Sequence, residues 1–264
     1  MNLFVMLGYI VAVNWFCLTV VWLVSVKIKD ASIIDIYWGI GFIVMAWACL
    51  LINLMHNPAS VSLSQWFINF MVTIWGFRLS LHLAIRNLGK GEDYRYVAMR
   101  KKSALDFRIF SYFRIFMFQG LLQIIVITPI LAMHYYPQEL GLGFFNYLGL
   151  ALWGVGIVYE TVADVQLVNF RSNPINQNAV LNSGLWRYSR HPNYFGDALQ
   201  WWAFFIFSLQ TGHYWGIIGP ILMMFIFLRL TIKLLEFPQT KKRPDYKEYI
   251  NTTNIFFPGP KKNQ

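Results

Sequence analysis

The chain has 264 residues, of which 57% are hydrophobic, 18% aromatic and only 13% charged, with a formal net charge of +10. A soluble domain carries about 25% charged residues, so this chain has too few ionic groups to cover a globular surface. The composition also excludes a disordered chain, a disulfide scaffold and a coiled coil. Cys17 and Cys49 both lie in apolar runs, so neither a disulfide nor a zinc site is expected.

Membrane-spanning helices are predicted wherever Lys, Arg, Asp and Glu are missing over a long stretch, because about 20 apolar residues in a helix cross a bilayer. The stretch over 36–77 is long enough for two spans and is divided at His56-Asn57-Pro58. The stretch over 198–228 is divided at Gln210-Thr211-Gly212-His213. The sequence therefore predicts an all-α integral membrane protein, a bundle of about seven transmembrane helices at 3–26, 33–54, 65–86, 114–135, 144–167, 194–210 and 214–234.

The basic residues predict the orientation of this bundle. With alternate span ends assigned to alternate sides, all 22 Lys and Arg residues except Arg78 fall on one side. The positive-inside rule then places the N-terminus outside and the C-terminus in the cytoplasm. The net charge is mainly a topology signal, and no soluble basic segment is present to bind nucleic acid. Short loops without an appended domain favour a bacterial inner (cytoplasmic) membrane.

Polar side chains within the predicted spans need a reason, because an ionisable group at bilayer depth costs about 2.5–3.5 kcal/mol on insertion scales. These groups lie towards the basic ends of the spans, and several are four residues apart and so share a helix face. They are Asp35, Arg78, His82, Glu160, Asp164, Asn193 and Asp197. The set predicts a polar cavity that opens to the cytoplasm, and not a pore across the bilayer.

Structural roles are the alternative for single members of this set. Asp35 also suits the N-terminal dipole of its helix, and Arg78 suits an ion pair with Asp35 or Glu160. No metal is expected at Glu160 and Asp164, because no His or Cys shares their face. The motif at 92–96, Glu-Asp-Tyr-Arg-Tyr, is interpreted as a surface facing lipid headgroups or as a lid over a nucleotide. Close helix packing is predicted at Gly39, Gly41, Gly154, Gly156, Gly212 and Gly216.

The densest group of functional side chains lies at 182–197, in a loop on the basic side that enters a helix. Pro192 and Asn193 are typical of a helix start. The cations of this segment, Arg187, Arg190 and His191, lie in the five residues before Pro192. A helix start with neighbouring arginines is typical of an anion site, and Arg171 points into the same region. Three arginines beside Trp and Tyr predict a nucleotide ligand. The alternative is anchoring to anionic lipid headgroups, and no Rossmann or P-loop motif is present.

Several of these motifs resemble those of a known family. Arg-His-Pro-Asn-Tyr-Phe-Gly-Asp at 190–197, preceded by Gly184-Leu-Trp, resembles the signature of the steroid 5-alpha-reductase C-terminal domain family, and most closely its bacterial domain-of-unknown-function (DUF1295-like) branch. The spacing of Glu160, Asp164 and Arg171 is similar to that family's span-5 pattern. The resemblance covers most of 32–258. The Arg-His-Pro motif is also similar to that of isoprenylcysteine carboxyl methyltransferases.

The resemblance implies a seven-helix membrane reductase with NADPH in a cavity open to the cytoplasm. Within a single membrane domain, residues 1–113 would form the substrate side, 114–258 the cofactor-binding part and 259–264 a tail. The implied cofactor-binding residues are Glu160, Asp164, Arg171, Arg187, Arg190, His191, Asn193, Tyr194, Asp197 and Arg229. In the family's steroid reductases a Gln-Glu pair in span 2 and a Tyr in span 3 hold the substrate carbonyl; here Asp35 stands near the first position and Trp75 near the second, so the carbonyl-binding pair is altered. The implied substrate-binding residues are Asp35, Trp38, Trp75 and Arg78.

The chemistry expected of such an enzyme is hydride transfer to the activated C=C of a lipid-soluble enone, either 3-oxo-steroid-like or isoprenoid. A donor must stabilise the carbonyl oxygen as the enolate forms, and Asp35 is the first candidate, with Tyr37 or Tyr194 as the alternative. The competing functions are a membrane S-adenosylmethionine-dependent methyltransferase and a non-enzymatic transporter. A transporter should place ionisable groups near the midplane, and a methyltransferase does not need a three-arginine polyphosphate pocket.

Overall fold

The protein is helical throughout the part that its computed structural model describes, which comprises residues 2–104, 106–136 and 141–262. No strand occurs among these residues, so the all-α prediction is confirmed. Six helices of this part are long and apolar enough to cross a membrane: α1 (Leu3–Ile28), α2 (Ile33–His56), α3 (Leu63–Asn87), α5 (Phe107–Val126), α7 (Phe144–Ser172) and α9 (Trp215–Lys242). The chain is therefore a multi-pass membrane protein.

Shorter helices complete the described part. They are α4 (Tyr94–Lys102), α6 (Thr128–Tyr135), α8 (Pro192–Ser208) and α10 (Tyr246–Thr252). The sixth predicted span, 194–210, corresponds to α8, which has only 17 residues and is not among these six helices. Trp201, Phe204 and Phe207 of α8 are fully buried, so this helix belongs to the protein core. The count of seven spans and their orientation stay predictions.

Local side-chain chemistry explains where the helices begin and end. Ser62 and Gln65 form a capping box at the start of α3, and α2 ends at His56 as expected from the following Asn57-Pro58. The predicted span at 114–135 differs from the structure. The Asp106 side chain accepts the backbone N–H of Arg108, so α5 begins at Phe107 and not at residue 114. Near its other end the predicted span continues into a separate helix, α6, which has Pro129 in its first turn.

The chain divides into two compact units. Unit 1 comprises Met1–Gly143 and Ser208–Gly216, and unit 2 comprises Phe144–Phe207 and Ile217–Gln264. In unit 1, α2 and α3 meet at Gly39 and Gly76, where a Cβ added to Gly76 would lie 2.7 Å from the Gly39 carbonyl oxygen. This contact confirms the close packing predicted at Gly39, since only a residue without a Cβ permits it.

Candidate functional site

Four of the predicted cofactor residues of unit 2, Glu160, Asp164, Asn193 and Asp197, lie on α7 and α8, which cross closely. A Cβ on Gly196 would lie 2.6 Å from the backbone nitrogen of Glu160, and one on Gly156 would lie 2.9 Å from the Gly196 carbonyl oxygen. Both glycines are therefore required for this approach. The crossing places the start of α8 directly against the turn of α7 that carries the two predicted acidic residues.

Two buried carboxylates on α7 accept hydrogen bonds from amide side chains on α8. Asn193 Nδ2 donates to Asp164 Oδ1 over 3.0 Å, and Gln200 Nε2 donates to Glu160 Oε2 over 2.8 Å. Glu160 is 3% exposed and Asp164 5%, as is Asp197 one turn after Asn193. The span-5 motif and the 190–197 motif, which are far apart in the sequence, thus form a single polar cluster. We call Glu160, Asp164, Asn193, Asp197 and Gln200 the carboxylate–amide cluster.

The same two amides keep unused acceptors. The carbonyl oxygens Asn193 Oδ1 and Gln200 Oε1 are buried, and neither has a hydrogen-bond partner within the described ranges. A buried polar atom without a partner is costly, so such atoms commonly accept from a bound molecule or a water. The carboxylate–amide cluster therefore offers hydrogen-bond acceptors to a ligand that carries N–H or O–H groups.

Arg190 and His191, predicted as cofactor ligands, contact Glu236 of α9. Arg190 Nε donates to Glu236 Oε1 over 2.7 Å and Nη2 donates to Oε2 over 3.3 Å, while His191 Nε2 lies 3.0 Å from Oε1. Arg190 Nη1 donates to the backbone carbonyls of Ile250 and Thr253. Because all three guanidinium nitrogens donate to protein groups, Arg190 here holds the start of α8 against α9 and the segment after α10.

The other predicted cations of unit 2 are exposed. Arg171 lies in the last turn of α7, Arg229 lies in α9, and Arg187 ends the short turn Gly184–Arg187. That turn is fixed to α7, because Trp186 Nε1 donates to the Ala163 carbonyl over 3.0 Å. These three residues are exposed, whereas Arg190 is buried. The ring of Tyr194 packs between His191 and Phe227, at centroid distances of 5.9 and 5.0 Å.

The predicted acid Asp35 lies in unit 1, in the first turn of α2, where two residues of α4 donate to it. Arg95 Nη2 donates to Asp35 Oδ2 and the Tyr96 hydroxyl donates to Oδ1, each over 2.6 Å. Gln119 Nε2 donates to the Tyr96 oxygen over 3.3 Å, and Arg95 Nε donates to Asp93 Oδ1 over 2.9 Å. We call these residues the Asp35 cluster. Its cation is Arg95, which the sequence analysis placed only in a headgroup surface or a lid.

The protonation states of α4 and its cap follow from their surroundings. Burial raises the pKa of the Tyr96 hydroxyl well above its usual value, and the Asp35 carboxylate adds to the rise. Burial alone would raise the pKa of Asp93, but the hydrogen bonds and positive charge of Arg95 outweigh it and lower this pKa. At neutral pH Tyr96 is therefore a neutral hydroxyl and Asp93 a carboxylate.

The remaining predicted substrate and donor residues also lie in unit 1. Tyr37 packs, partly buried, against the apolar cluster that contains Tyr96. Trp38 and Trp75 each contact the ring of Phe42 edge-on, at 5.5 and 5.6 Å between centroids. Trp75 is fully buried, which makes it a core residue, and Arg78 lies one turn further along α3, partly buried.

Sequence reasoning missed three side chains: Glu236, which contacts Arg190 and His191, and Gln119 and Gln200 of the two clusters. Glu236 is an acidic residue among the basic residues at the end of α9, and that isolation is the signal that could have indicated a partner. Gln119 and Gln200 gave no comparable signal, and the motif at 92–96 did not indicate that Tyr96 donates to Asp35. Their partners lie on other helices, and only the fold brings them together.

Comparison with known proteins gives a family and one curated relative. The model of a family described as "Protein of unknown function (DUF1295)" matches residues 21–253. An uncharacterized protein from Schizosaccharomyces pombe is 28% identical over an alignment of 264 positions. The alignment covers 90% of this chain and 76% of the relative. No solved structure matches the chain. Since this relative is eukaryotic, similar chains are not confined to bacteria, and the bacterial inner membrane stays a prediction.

Proposed function

We propose that this chain, which belongs to the DUF1295 family, is a membrane-embedded NADPH-dependent reductase that transfers hydride to the activated C=C of a lipid-soluble enone. The substrate class would be 3-oxo-steroid-like or isoprenoid. One observation carries the proposal: the hydrogen bond between Asn193 and Asp164 joins the two motifs that resemble the cofactor-binding motifs of steroid 5-alpha-reductase-like proteins. These motifs are distant in sequence, and their meeting in one buried cluster supports a shared ligand.

The residues of unit 2 fit the chemistry of a phosphorylated dinucleotide. Arg171, Arg187 and Arg229 are exposed residues, and guanidinium groups bind phosphate oxygens well. Buried carboxylates accept hydrogen bonds from ribose hydroxyls in many dinucleotide sites, and Asp164 and Asp197 are suited to this role. The unused amide oxygens of the carboxylate–amide cluster would accept from a carboxamide or amino group. When bound, NADPH supplies the hydride.

Two predicted ligands take a positioning role in this proposal. Arg190 and His191 contact Glu236, so they would hold the start of α8 in register for Asn193 and Asp197. A buried, bidentate ion pair is well suited to fixing a loop whose neighbours bind a ligand. Tyr194, packed between His191 and Phe227, remains the candidate of unit 2 for donating a hydrogen bond to the substrate carbonyl oxygen.

The donor for the substrate carbonyl is proposed to come from the Asp35 cluster of unit 1. Enone reduction requires positive charge or a hydrogen-bond donor at the oxygen that becomes the enolate. Both oxygens of Asp35 already accept hydrogen bonds, so Asp35 would act by orienting Arg95 and Tyr96. Because Tyr96 already donates its hydroxyl hydrogen to Asp35, Tyr37, which packs against the apolar cluster that contains Tyr96, is then the hydroxyl that replaces Asp35 as the preferred donor.

The proposal includes the predicted topology. Seventeen residues are at the lower limit of a spanning helix, so α8 is counted as a further span, the sixth of seven in chain order. With seven spans, the one-sided distribution of Lys and Arg favours an outside N-terminus and a cytoplasmic C-terminus. In this topology Asp35 and the segment at 182–197 both lie towards the basic, cytoplasmic ends of their spans.

Ligand-dependent unfolding of the purified protein in detergent tests the proposed cofactor. NADPH should raise the unfolding midpoint of the natural sequence and have little effect on Asp164→Ala, which loses the contact with Asn193. Glu248→Gln, which removes an exposed carboxylate from the same unit, is the matched control and should respond like the natural sequence. Stabilisation only by S-adenosylmethionine would favour a methyltransferase, and no response to either molecule would favour a transporter.

A further inference from the structure

A polar cavity lies in unit 1, and the proposed reaction does not use it. It has a volume of about 190 Å³ and lies between the end of α1, α4 and the start of α5. Asp35, Arg95 and Tyr96 do not line it. Its polar lining consists of Ser25, Lys29, Arg100, Asp106, Arg108 and Ser111. We call it the α1–α5 cavity.

The α1–α5 cavity is positively charged. Three of its lining residues, Lys29, Arg100 and Arg108, are cations, and Asp106 is the one carboxylate in its lining. Asp106 Oδ1 already accepts the backbone N–H of Arg108 over 2.9 Å. Glu92 neutralises part of the charge of Arg100 from outside the lining. The excess of cations favours an anionic ligand.

One cationic group of the lining, that of Arg100, is held in place by the protein. Arg100 donates twice to Glu92, over 2.8 and 3.0 Å, and its guanidinium carbon lies 3.9 Å from the centre of the Phe107 ring. Trp22 Nε1 donates to the backbone carbonyl oxygen of Arg108 over 3.3 Å, which fixes the backbone there. A cation that is already ordered loses less entropy when the site binds an anion.

The surroundings of the cavity identify the source of the anion. Large apolar residues within two positions of the lining residues Lys29, Arg108 and Ser111 are exposed, namely Ile28 at 52%, Ile109 at 56% and Phe113 at 61%. They belong to α1 and α5, the two apolar helices between whose ends the cavity lies. A lipid of the adjacent leaflet would place its phosphate in the cavity and its acyl chains along these side chains. A free phosphate would use only the cations.

We propose that the α1–α5 cavity binds the phosphate of an anionic membrane lipid. The site also has a structural link to the Asp35 cluster, because α4 carries Arg100 at one end and Arg95 and Tyr96 at the other. A lipid held by Arg100 would therefore restrain the helix that donates to Asp35. This proposal does not depend on the proposed reductase activity, and its test does not use NADPH.

Native mass spectrometry of the full-length protein in detergent measures the binding directly. The probes are phosphatidylglycerol, phosphatidylcholine and inorganic phosphate, each titrated separately. The natural sequence should retain one phosphatidylglycerol in preference to phosphatidylcholine. Lys29→Gln with Arg108→Gln removes two of the three cations and should weaken that binding about thirtyfold. Lys101→Gln with Lys102→Gln removes two exposed cations of α4 that do not line the cavity and should change it little.

A loss of lipid binding could also result from misfolding, so a second variant is chosen that should bind the lipid more tightly. Asp106→Asn removes the carboxylate of the lining but keeps a good helix cap, so phosphatidylglycerol should bind about fivefold more tightly. Equal lipid retention by the natural sequence and both cavity variants would overturn the proposal, as would an equal loss in the Lys101/Lys102 control. Saturation by inorganic phosphate without any preference for phosphatidylglycerol would overturn the assignment to a lipid.

Discussion

Tyr96 donates its hydroxyl hydrogen to Asp35 over 2.6 Å, although the two residues are 61 positions apart in the chain. The contact joins the short helix α4 to the first turn of α2 and leaves Asp35 with a donor on each oxygen. A buried hydrogen bond to a carboxylate contributes more to stability than one between neutral groups. The Asp35 cluster therefore has measurable consequences for folding, whatever its part in catalysis.

Tyr96→Phe should lower the free energy of unfolding by about 1.5–3 kcal/mol, because Asp35 Oδ1 loses its donor inside the protein. The measurement is thermal or denaturant unfolding of the purified protein in detergent. Tyr94→Phe is the matched control, since Tyr94 lies on the same helix and is 59% exposed. Equal unfolding midpoints for the two variants would show that the hydroxyl of Tyr96 does not stabilise the fold.

The stabilisation by Tyr96 should disappear at high pH. Its pKa is raised in the folded state, so its contribution is fully present below the unfolded-state pKa of about 10 and declines as the pH rises from there towards the folded-state value. The difference in unfolding midpoint between the natural sequence and Tyr96→Phe should be constant from about pH 6 to 9 and shrink above about pH 10. A difference that shrinks instead between pH 6 and 8 would contradict this account of the cluster.

The crossing of α7 and α8 should not tolerate a methyl group at Gly196. The added Cβ would meet the backbone of Glu160, and such overpacking costs about 1–3 kcal/mol. Gly196→Ala should therefore lower the unfolding midpoint. Gly154→Ala is the control on α7, because nothing lies within 4 Å of its added Cβ. If both substitutions lower the midpoint equally, the close approach at Gly196 is not what limits the site.

Glu236→Gln should be strongly destabilising, because it leaves the buried Arg190 without its charge partner. Removing one member of a buried ion pair costs about 3–5 kcal/mol. Arg190 is 6% exposed, so water cannot easily replace the carboxylate. The exposed Glu248→Gln serves as the comparison, and unfolding midpoints report the difference. Equal midpoints would mean that the ion pair between Arg190 and Glu236 does not hold the segment that leads into α8.

The sequence predicted the membrane helices well where charge was scarce and poorly where it was not. The uncharged runs located α1, α2 and α3 within a few residues. Arg108 and Arg114 hid the first turns of α5, because a rule based on missing charge cannot see a helix that begins with a capping Asp106. The glycine patterns were a further source of error: close helix packing was predicted at Gly154, where nothing lies within 4 Å of an added Cβ.

The candidate sites show the same limit. The four-residue spacing of Glu160 and Asp164 was sufficient to place both on one face, since helix geometry is local. The donors that face them, and the pairing of Tyr96 with Asp35 or of Glu236 with Arg190, depend on which helices pack together. The spacing of residues in one sequence contains no record of those long-range contacts.

The most direct test of the central claim is to determine whether the protein binds NADPH and whether that binding depends on the carboxylate–amide cluster. Native mass spectrometry of the protein purified in detergent, with NADPH, NADH and S-adenosylmethionine offered at equal concentration, reports the bound species. The account predicts that the natural sequence and Glu248→Gln retain NADPH and that Asp164→Ala loses it. Retention of S-adenosylmethionine in place of NADPH, or NADPH binding that Asp164→Ala leaves unchanged, would contradict it.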